Sequence, residues 1–543
     1  MMASMPAGES DPRNPVRPSR AQLLGRLARV REPREAREAL PLLPRIAEAF
    51  KEDCRVQRAI SEIALRAGDA GLAAMYAKAA LEPAAADAGQ YLHLAICLVA
   101  AGEQAEATAA LKKAEPCALG SGDSAAMLAS LYVKVDEHER ALVAYERAIE
   151  LEPGNAKHHF SQAATLRFLG RLREAELACD RALELDPAEY EAYLIRADLR
   201  TQTAEDNHIA AMERVLARGG APYLGEVMLC YALAKECEDT GDYPRSFRYL
   251  ARGAQLRRRH LSYDVCQDLA LIDELIDRFS SAWLNPVRNT GFDSELPVFV
   301  LGLPRTGTTL VERILASHSE VRSVGESPDF PRLMAELAER QTHGSSKDPH
   351  ALVGASLELD MEELGRRYGD NLARRAAGSR RAIDKLPFNY LNAGLIHLSL
   401  PRATIIHVTR DPVDTCYAIY KTLFQRAYPF SYDLEDLGRY FIAYYRLMEH
   451  WHRCLPGRIV RVRYEDLVAA PEEESRRLIE ACGLSWEAGM RAFHDNPSPS
   501  MTASASQVRR PIYRSSVGKW RHYARELEPL LRLLRDEGIA GAS

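Results

Sequence analysis

The segment Gly302-Leu-Pro-Arg-Thr-Gly307-Thr308-Thr309 lies between the apolar run PVFVL and the helical pattern TTLVERIL. Its G-x-x-x-x-G spacing is that of a phosphate loop, in which backbone N–H groups and a helix N-terminus hold an anion. A nucleotide kinase or ATPase carries lysine where Thr308 stands, reaching the β- and γ-phosphates. Here the cation is Arg305, inside the loop. Such a loop suits a 5′-phosphate bearing one further, singly charged group better than a magnesium triphosphate. A glycine-rich strand-to-helix turn with no ligand is the plain alternative.

Further segments place charged or aromatic residues at predicted strand ends. In ATIIHVTRDPVDTCYAIYKTLF, Arg410 follows a strand while Asp411 and Pro412 open a helix. Proline suits the first helical turn, where its missing donor costs nothing. An arginine here can take a phosphate through two N–H groups, although a surface Arg–Asp pair is the simpler reading. RAIDKLPFNYL puts Lys385 after another strand, and VRYEDLV puts Tyr464 after a fourth. The stretch QVRRPIYRSSVGKWRHY is basic and hydroxyl-rich, with Arg510, Arg514, Ser515, Ser516 and Lys519. Basic residues interleaved with aromatics can bind single-stranded nucleic acid, but this is one short loop rather than a stripe.

These residues need a scaffold. From Pro297 onward, the apolar runs PVFVLGL, RAID, ATIIHVT and IVRVRY alternate with helical patterns. That alternation predicts an α/β domain with a parallel sheet and a ligand at the carboxyl ends of its strands. Upstream, the composition changes near residue 256: RRRHLS and a helical stretch to Phe279 lead into the proline-containing SAWLNPVRNTGFDSELP.

The N-terminal half is periodic. Gly68, Gly102, Asp136 and Gly170 stand 34 residues apart, as do Ala73, Ala107, Ala141 and Ala175, and Ala80, Ala114, Ala148 and Ala182. DEHERALVAYERAIELEPGNA aligns with GRLREAELACDRALELDPAEY, and Pro153 with Pro187. Glycine or aspartate ends a first helix, alanines permit close helix approach, and the Glu-Pro or Asp-Pro step stops the second helix. The pattern resembles the tetratricopeptide repeat, whose period is 34 residues. Copies run from about Asp53 to Tyr190, and Thr240 to Gly253 resembles one more second helix. Such a solenoid offers a concave face to a protein partner; packing on the following domain or dimerisation would serve the helices equally.

The expected organisation is a disordered tail (1–20), a solenoid (21–255), a helical linker (256–296), an α/β domain (297–530) and a C-terminal tail (531–543). Composition agrees with a globular protein: 47% hydrophobic and 27% charged residues, with a formal net charge of −5. That balance speaks against a chain-wide nucleic-acid or membrane field. No apolar run approaches the ~18 residues of a membrane span. Glu9 and Asp11 fit poorly in a signal or transit peptide. Ten cysteines without a CxxC pair read as reduced thiols in a cytoplasmic protein. No metal site is expected.

Taken together and in this order, the C-terminal segments resemble the sulfotransferases that use 3′-phosphoadenosine 5′-phosphosulfate (PAPS) over about Pro297 to Leu530. The likeness is closest to tyrosylprotein sulfotransferases and bacterial repeat-containing sulfotransferases. It is carried by PRTGTTLVERILASHSEVRSVGE, by Lys385-Leu-Pro-Phe388, by HVTRDPVDTCYAIY, and by Gln507-Val508…Lys519-Trp520. The family fold is a P-loop-like α/β domain. The resemblance implies that Arg305, Thr306, Gly307, Thr308 and Thr309 hold the 5′-phosphosulfate. It implies Arg410 at the 3′-phosphate, Tyr464 near the adenine, and Arg514, Ser515 and Lys519 closing over the nucleotide. Glu326 would be the general base, with Lys385 assisting the leaving group and PAP as product. The acceptor would be a hydroxyl on a polypeptide, protein tyrosine among the candidates, or on a small molecule or glycan.

The implied chemistry is an in-line displacement at sulfur. Cationic side chains and loop amides can stabilise its modest charge without a metal, and a carboxylate must receive the proton of an incoming phenol whose pKa starts near 10. Glu326 has a structural alternative as a helix-start carboxylate in SVGESPDFP, and His318 in SHSEV is a rival base that would more simply cap a helix. Two departures stand out. Ala418 replaces the family serine eight residues after Arg410, and Gly518 replaces the serine before Lys519. They leave open a catalytically weakened repeat scaffold; a P-loop kinase is the remaining alternative.

Overall fold

In a computed structural model, the chain is described over residues 20–81, 87–284, 291–341, 348–424, 427–495 and 516–539. It forms two compact units, Met1–Leu166 and Arg167–Ser543. The division falls inside the segment expected to be one solenoid.

The described part of the first unit is helical. Helices Cys54–Ala67 and Ala70–Ala79, Ala88–Ala101 and Gln104–Ala118, then Gly122–Lys134 and His138–Leu151 pack as successive pairs. Each pair turns at a left-handed residue of the 34-residue column: Gly68 at φ 90°, Gly102 at φ 77° and Asp136 at φ 62°. Aspartate is one of the few side chains that tolerate this region, where other residues lose about 1–2 kcal/mol. Ala73, Ala107, Ala114, Ala141 and Ala148 are fully buried, so a methyl is all that fits between paired helices.

In the second unit the pattern continues at Gly170 (φ 79°), with Ala175 and Ala182 fully buried. A later pair, Tyr223–Asp239 and Tyr243–Arg259, turns at Gly241 (φ 82°), where the sequence resembled a further second helix. A Cβ on Gly253 would lie 2.9 Å from Cys230 Cβ, so glycine lets these helices meet.

The sheet has five parallel strands: β1 (Pro297–Leu301), β2 (Val321–Ser323), β3 (Arg381–Asp384), β4 (Thr404–Thr409) and β5 (Ile459–Arg463). Their order is β2-β3-β1-β4-β5. Four were expected; β2 is a three-residue edge strand of mixed polarity. Alternation splits the strands between two cores. Val298, Val300, Ile383, Ile406 and Val408 face one, and Phe299, Leu301, Ala382 and Ile405 face the other. Both faces are therefore covered, as a parallel sheet requires.

The second core reaches well beyond the sheet. Val227, Tyr231, Leu250 and Ala254 of the helical pair enter it, as do Ile272, Leu275 and Phe279 from the expected linker. The expected tail 531–543 is corrected in part: helix Glu528–Asp536 buries Leu530, Leu531 and Leu534 in the same core, because leucines recur on one helical face. Among the described residues no helix is long and apolar enough to cross a membrane, and no cluster of metal-ligating side chains occurs.

Candidate active site

All five strands end at the same edge of the sheet, and every strand end is followed by a residue of interest. After β1, the chain turns through Gly302 at φ 145° and Arg305 at φ 68° to Gly307 at φ 105°, from which helix Thr308–Leu315 starts. Both glycines also answer a close approach: a Cβ would meet Val408 O at 2.5 Å from Gly302, and Tyr464 Cδ2 at 2.7 Å from Gly307. Arg305 holds a conformation that costs a non-glycine residue about 1–2 kcal/mol, strain of the kind stored at ligand-binding turns. Thr306, Thr308 and Thr309 are buried, with the Thr306 hydroxyl donating to Leu303 O at 2.8 Å. No side chain caps the first turn of the helix.

After β4, Asp411 caps helix Pro412–Tyr420 by accepting from Val413 and Asp414 N–H, with Pro412 in the first turn as expected. Arg410 donates from Nη1 to Arg305 O at 3.2 Å and from Nη2 to Ser516 O at 2.5 Å, and stacks 5.0 Å from the Tyr464 ring centre. Its Nε is buried without a hydrogen-bond partner among the described residues. Tyr464, directly after β5, shares a hydrogen bond of 2.8 Å with Ser516 Oγ. The loop, Arg410, Tyr464 and the start of the C-terminal segment thus form one cationic cradle. A buried guanidinium with an unused donor beside a phosphate-loop turn fits an anionic nucleotide.

After β3, Lys385 is 1% exposed at its side chain and donates to Glu326 Oε1 at 2.5 Å; Glu312 Oε2 lies 3.7 Å from the same ammonium. Glu326 follows β2 and is 46% exposed, so one face of its carboxylate meets solvent. Its segment is clamped by Arg375, which donates to Val324 O, Ser327 Oγ and Asp329 Oδ2. Beneath Lys385, Asp384 is fully buried; burial pushes its carboxyl up to about 7 against the hydrogen bond from Tyr368.

His318 is not placed to act as a base. Its Nδ1 accepts from Glu320 N at 3.1 Å, which leaves Nε2–H to donate to Ser485 O at 2.9 Å. Lys519 Nζ lies 2.9 Å from Glu238 Oε1. Arg514 and Ser515 lie outside the described residues. Gly518 stands at φ 75°, and its N–H donates to Asp414 Oδ2 at 2.5 Å; the left-handed backbone accounts for glycine at this position.

Residues 297–488 match the sulfotransferase family, and residues 123–155 match the tetratricopeptide repeat. The chain carries a sulfotransferase-family domain. An uncharacterized protein of Aquifex aeolicus is 32% identical over 377 residues, covering 68% of this chain and 49% of that one. The chain thus spans about half the length of this relative. A putative protein-tyrosine sulfotransferase of Caenorhabditis briggsae is 25% identical over 232 residues, covering 41% of this chain and 80% of that protein. The sulfotransferase domain of the Synechococcus PCC 7002 olefin synthase matches with a TM-score of 0.33 and 19% identity, over 43% of this chain and 90% of that one.

Three carboxylates around this site carry little or no signal in the sequence. Glu312 stands one turn along the loop helix, where TTLVERIL shows only an amphipathic pattern. Asp414 receives Gly518 and Trp520 N–H and lies 3.9 Å from Arg410 Nη2; its position in the first turn of a helix is the one local clue. Glu238 lies outside the segment matching the sulfotransferase family and carried no signal.

Proposed function

We propose that the chain transfers a sulfuryl group from PAPS to an acceptor hydroxyl, with Glu326 as general base. The observation that carries this reading is the Glu326–Lys385 contact at the same sheet edge as the Arg305 loop and Arg410. Loop amides, Arg305, Thr306, Gly307, Thr308 and Thr309 hold the 5′-phosphosulfate, Arg410 the 3′-phosphate, and Tyr464 the side of the adenine. Arg514, Ser515 and Lys519 complete the nucleotide site from the C-terminal segment. PAPS supplies the sulfuryl group: the acceptor oxygen bonds to sulfur, the bridging oxygen leaves with PAP, and the acceptor proton passes to Glu326. Lys385 offsets charge between the base and the leaving group. No metal takes part, because cations and amides suffice for a singly charged group.

Ala418 lacks the hydroxyl that the family pattern offers the 3′-phosphate, and the unused Arg410 Nε supports retained binding without it. The acceptor is a polypeptide tyrosine, a reading supported by the likeness to protein-tyrosine sulfotransferases and by repeats suited to a protein partner. The setting is the cytoplasm, supported by ten free thiols. Sulfate transfer from labelled PAPS to a tyrosine peptide, with a serine peptide and a phenol alongside, tests the proposal. Label on the tyrosine peptide supports it; label on the phenol alone moves the acceptor to small molecules, and no label on any acceptor refutes the activity.

A further inference from the structure

Glu238 lies in the last turn of the Tyr223–Asp239 helix and points toward the α/β domain with a side chain only 8% exposed. Its Oε1 accepts from Lys421 Nζ at 2.7 Å and Lys519 Nζ at 2.9 Å. Its Oε2 accepts from Tyr523 OH at 3.2 Å and from Tyr417 OH. Burial opposes ionisation here, but the two ammoniums outweigh it and hold the carboxyl well below the usual range.

Two ammoniums on one oxygen repel each other and would part in water. The carboxylate keeps them together, and one negative charge against two positive leaves the cluster cationic. Its four donors come from two places. Tyr417 and Lys421 sit at the end of the helix that Arg410 precedes, and Lys519 and Tyr523 belong to the segment whose Ser516 carbonyl receives Arg410. Asp414 ties the same two elements through Gly518 and Trp520 N–H. Glu238 is the part of this arrangement supplied by the helical pair rather than by the α/β domain.

We propose that Glu238 is a positioning residue of the donor site, holding Lys421 and Lys519 as a paired cation toward an anionic group of the nucleotide. The proposal rests on the reading of this site as one for PAPS. It makes an unusual prediction of sign. By charge alone, removing a carboxylate beside a polyanion should tighten binding; by positioning, it weakens binding because the two lysines separate.

The test is calorimetry of PAP on the full chain, with steady-state kinetics in PAPS. For Glu238→Gln, PAP affinity falls about tenfold and KM for PAPS rises while kcat changes less than about threefold. Adding Glu238→Gln to Lys519→Met costs little further affinity, since the first acts through the second. Unchanged or tighter PAP binding by a folded Glu238→Gln overturns the proposal. Should that variant not fold, Tyr523→Phe decides: the ring remains and one donor to Oε2 is lost, so affinity falls about threefold, and unchanged affinity overturns it. Wild-type chain that binds no PAP overturns the PAPS reading itself, a result distinct from a silent Glu238.

Discussion

The Lys385 ammonium, buried to 1% exposure, rests on Glu326 Oε1 at 2.5 Å, with Glu312 on its other side at 3.7 Å. A buried ammonium between two carboxylates is fixed in place, and it fixes in turn the half-exposed carboxylate of Glu326. That carboxylate therefore presents its remaining lone pairs to solvent in one orientation.

Glu326→Gln removes the proposed proton acceptor while keeping the shape of the side chain. Turnover should fall about 10²–10⁴-fold, with PAP affinity within about twofold of wild type. Rapid-quench assays with labelled PAPS and calorimetry check the two halves; wild-type turnover in the variant would assign the base elsewhere.

Arg410→Ala should weaken PAP binding by about 10–100-fold, the range of lost charge-assisted hydrogen bonds. Arg410→Lys should recover little, because an ammonium cannot reach Arg305 O, Ser516 O and a phosphate at once. Equal affinities across the three proteins would remove Arg410 from the nucleotide site.

Gly307→Ala would set a methyl 2.7 Å from the Tyr464 ring at φ 105°. We expect a loss of about 1–3 kcal/mol in stability and weaker PAP binding, read by thermal melting and calorimetry. A stable variant with normal affinity would show that the loop relaxes without Tyr464.

Asp384 has a pH signature. Burial raises its folded pKa to about 7, against an unfolded value near 3.9. Between those values the folded chain keeps a proton that the unfolded chain has lost. The contribution is thus full below about pH 4 and fades as pH rises through about 7, by at most about 4 kcal/mol. Asp384→Asn should abolish that slope, so urea titrations at pH 4, 5.5 and 7.5 should show the variant gaining on wild type as pH rises. Parallel curves would contradict the assignment.

Much of the fold follows from local pattern. The 34-residue columns mark helix turns and buried methyls, and four apolar runs mark four strands. β2 went unseen because VRS has neither length nor alternation. The expected tail 531–543 overlaps most of helix Glu528–Asp536, whose leucines pack on partners distant in sequence. Around the site, Arg305, Lys385, Arg410 and Tyr464 were legible because each directly follows or lies in the turn after a strand. Glu238 was not: it meets Lys519 across 281 residues of chain, and only the assembled core brings them together.

The hairpin 223–259 shares its oily interior with Phe299 and Leu301. A repeat inserted at or removed from this hairpin would cut into the interior of the α/β domain itself. The hairpin therefore cannot be exchanged or trimmed apart from the sheet it is welded to.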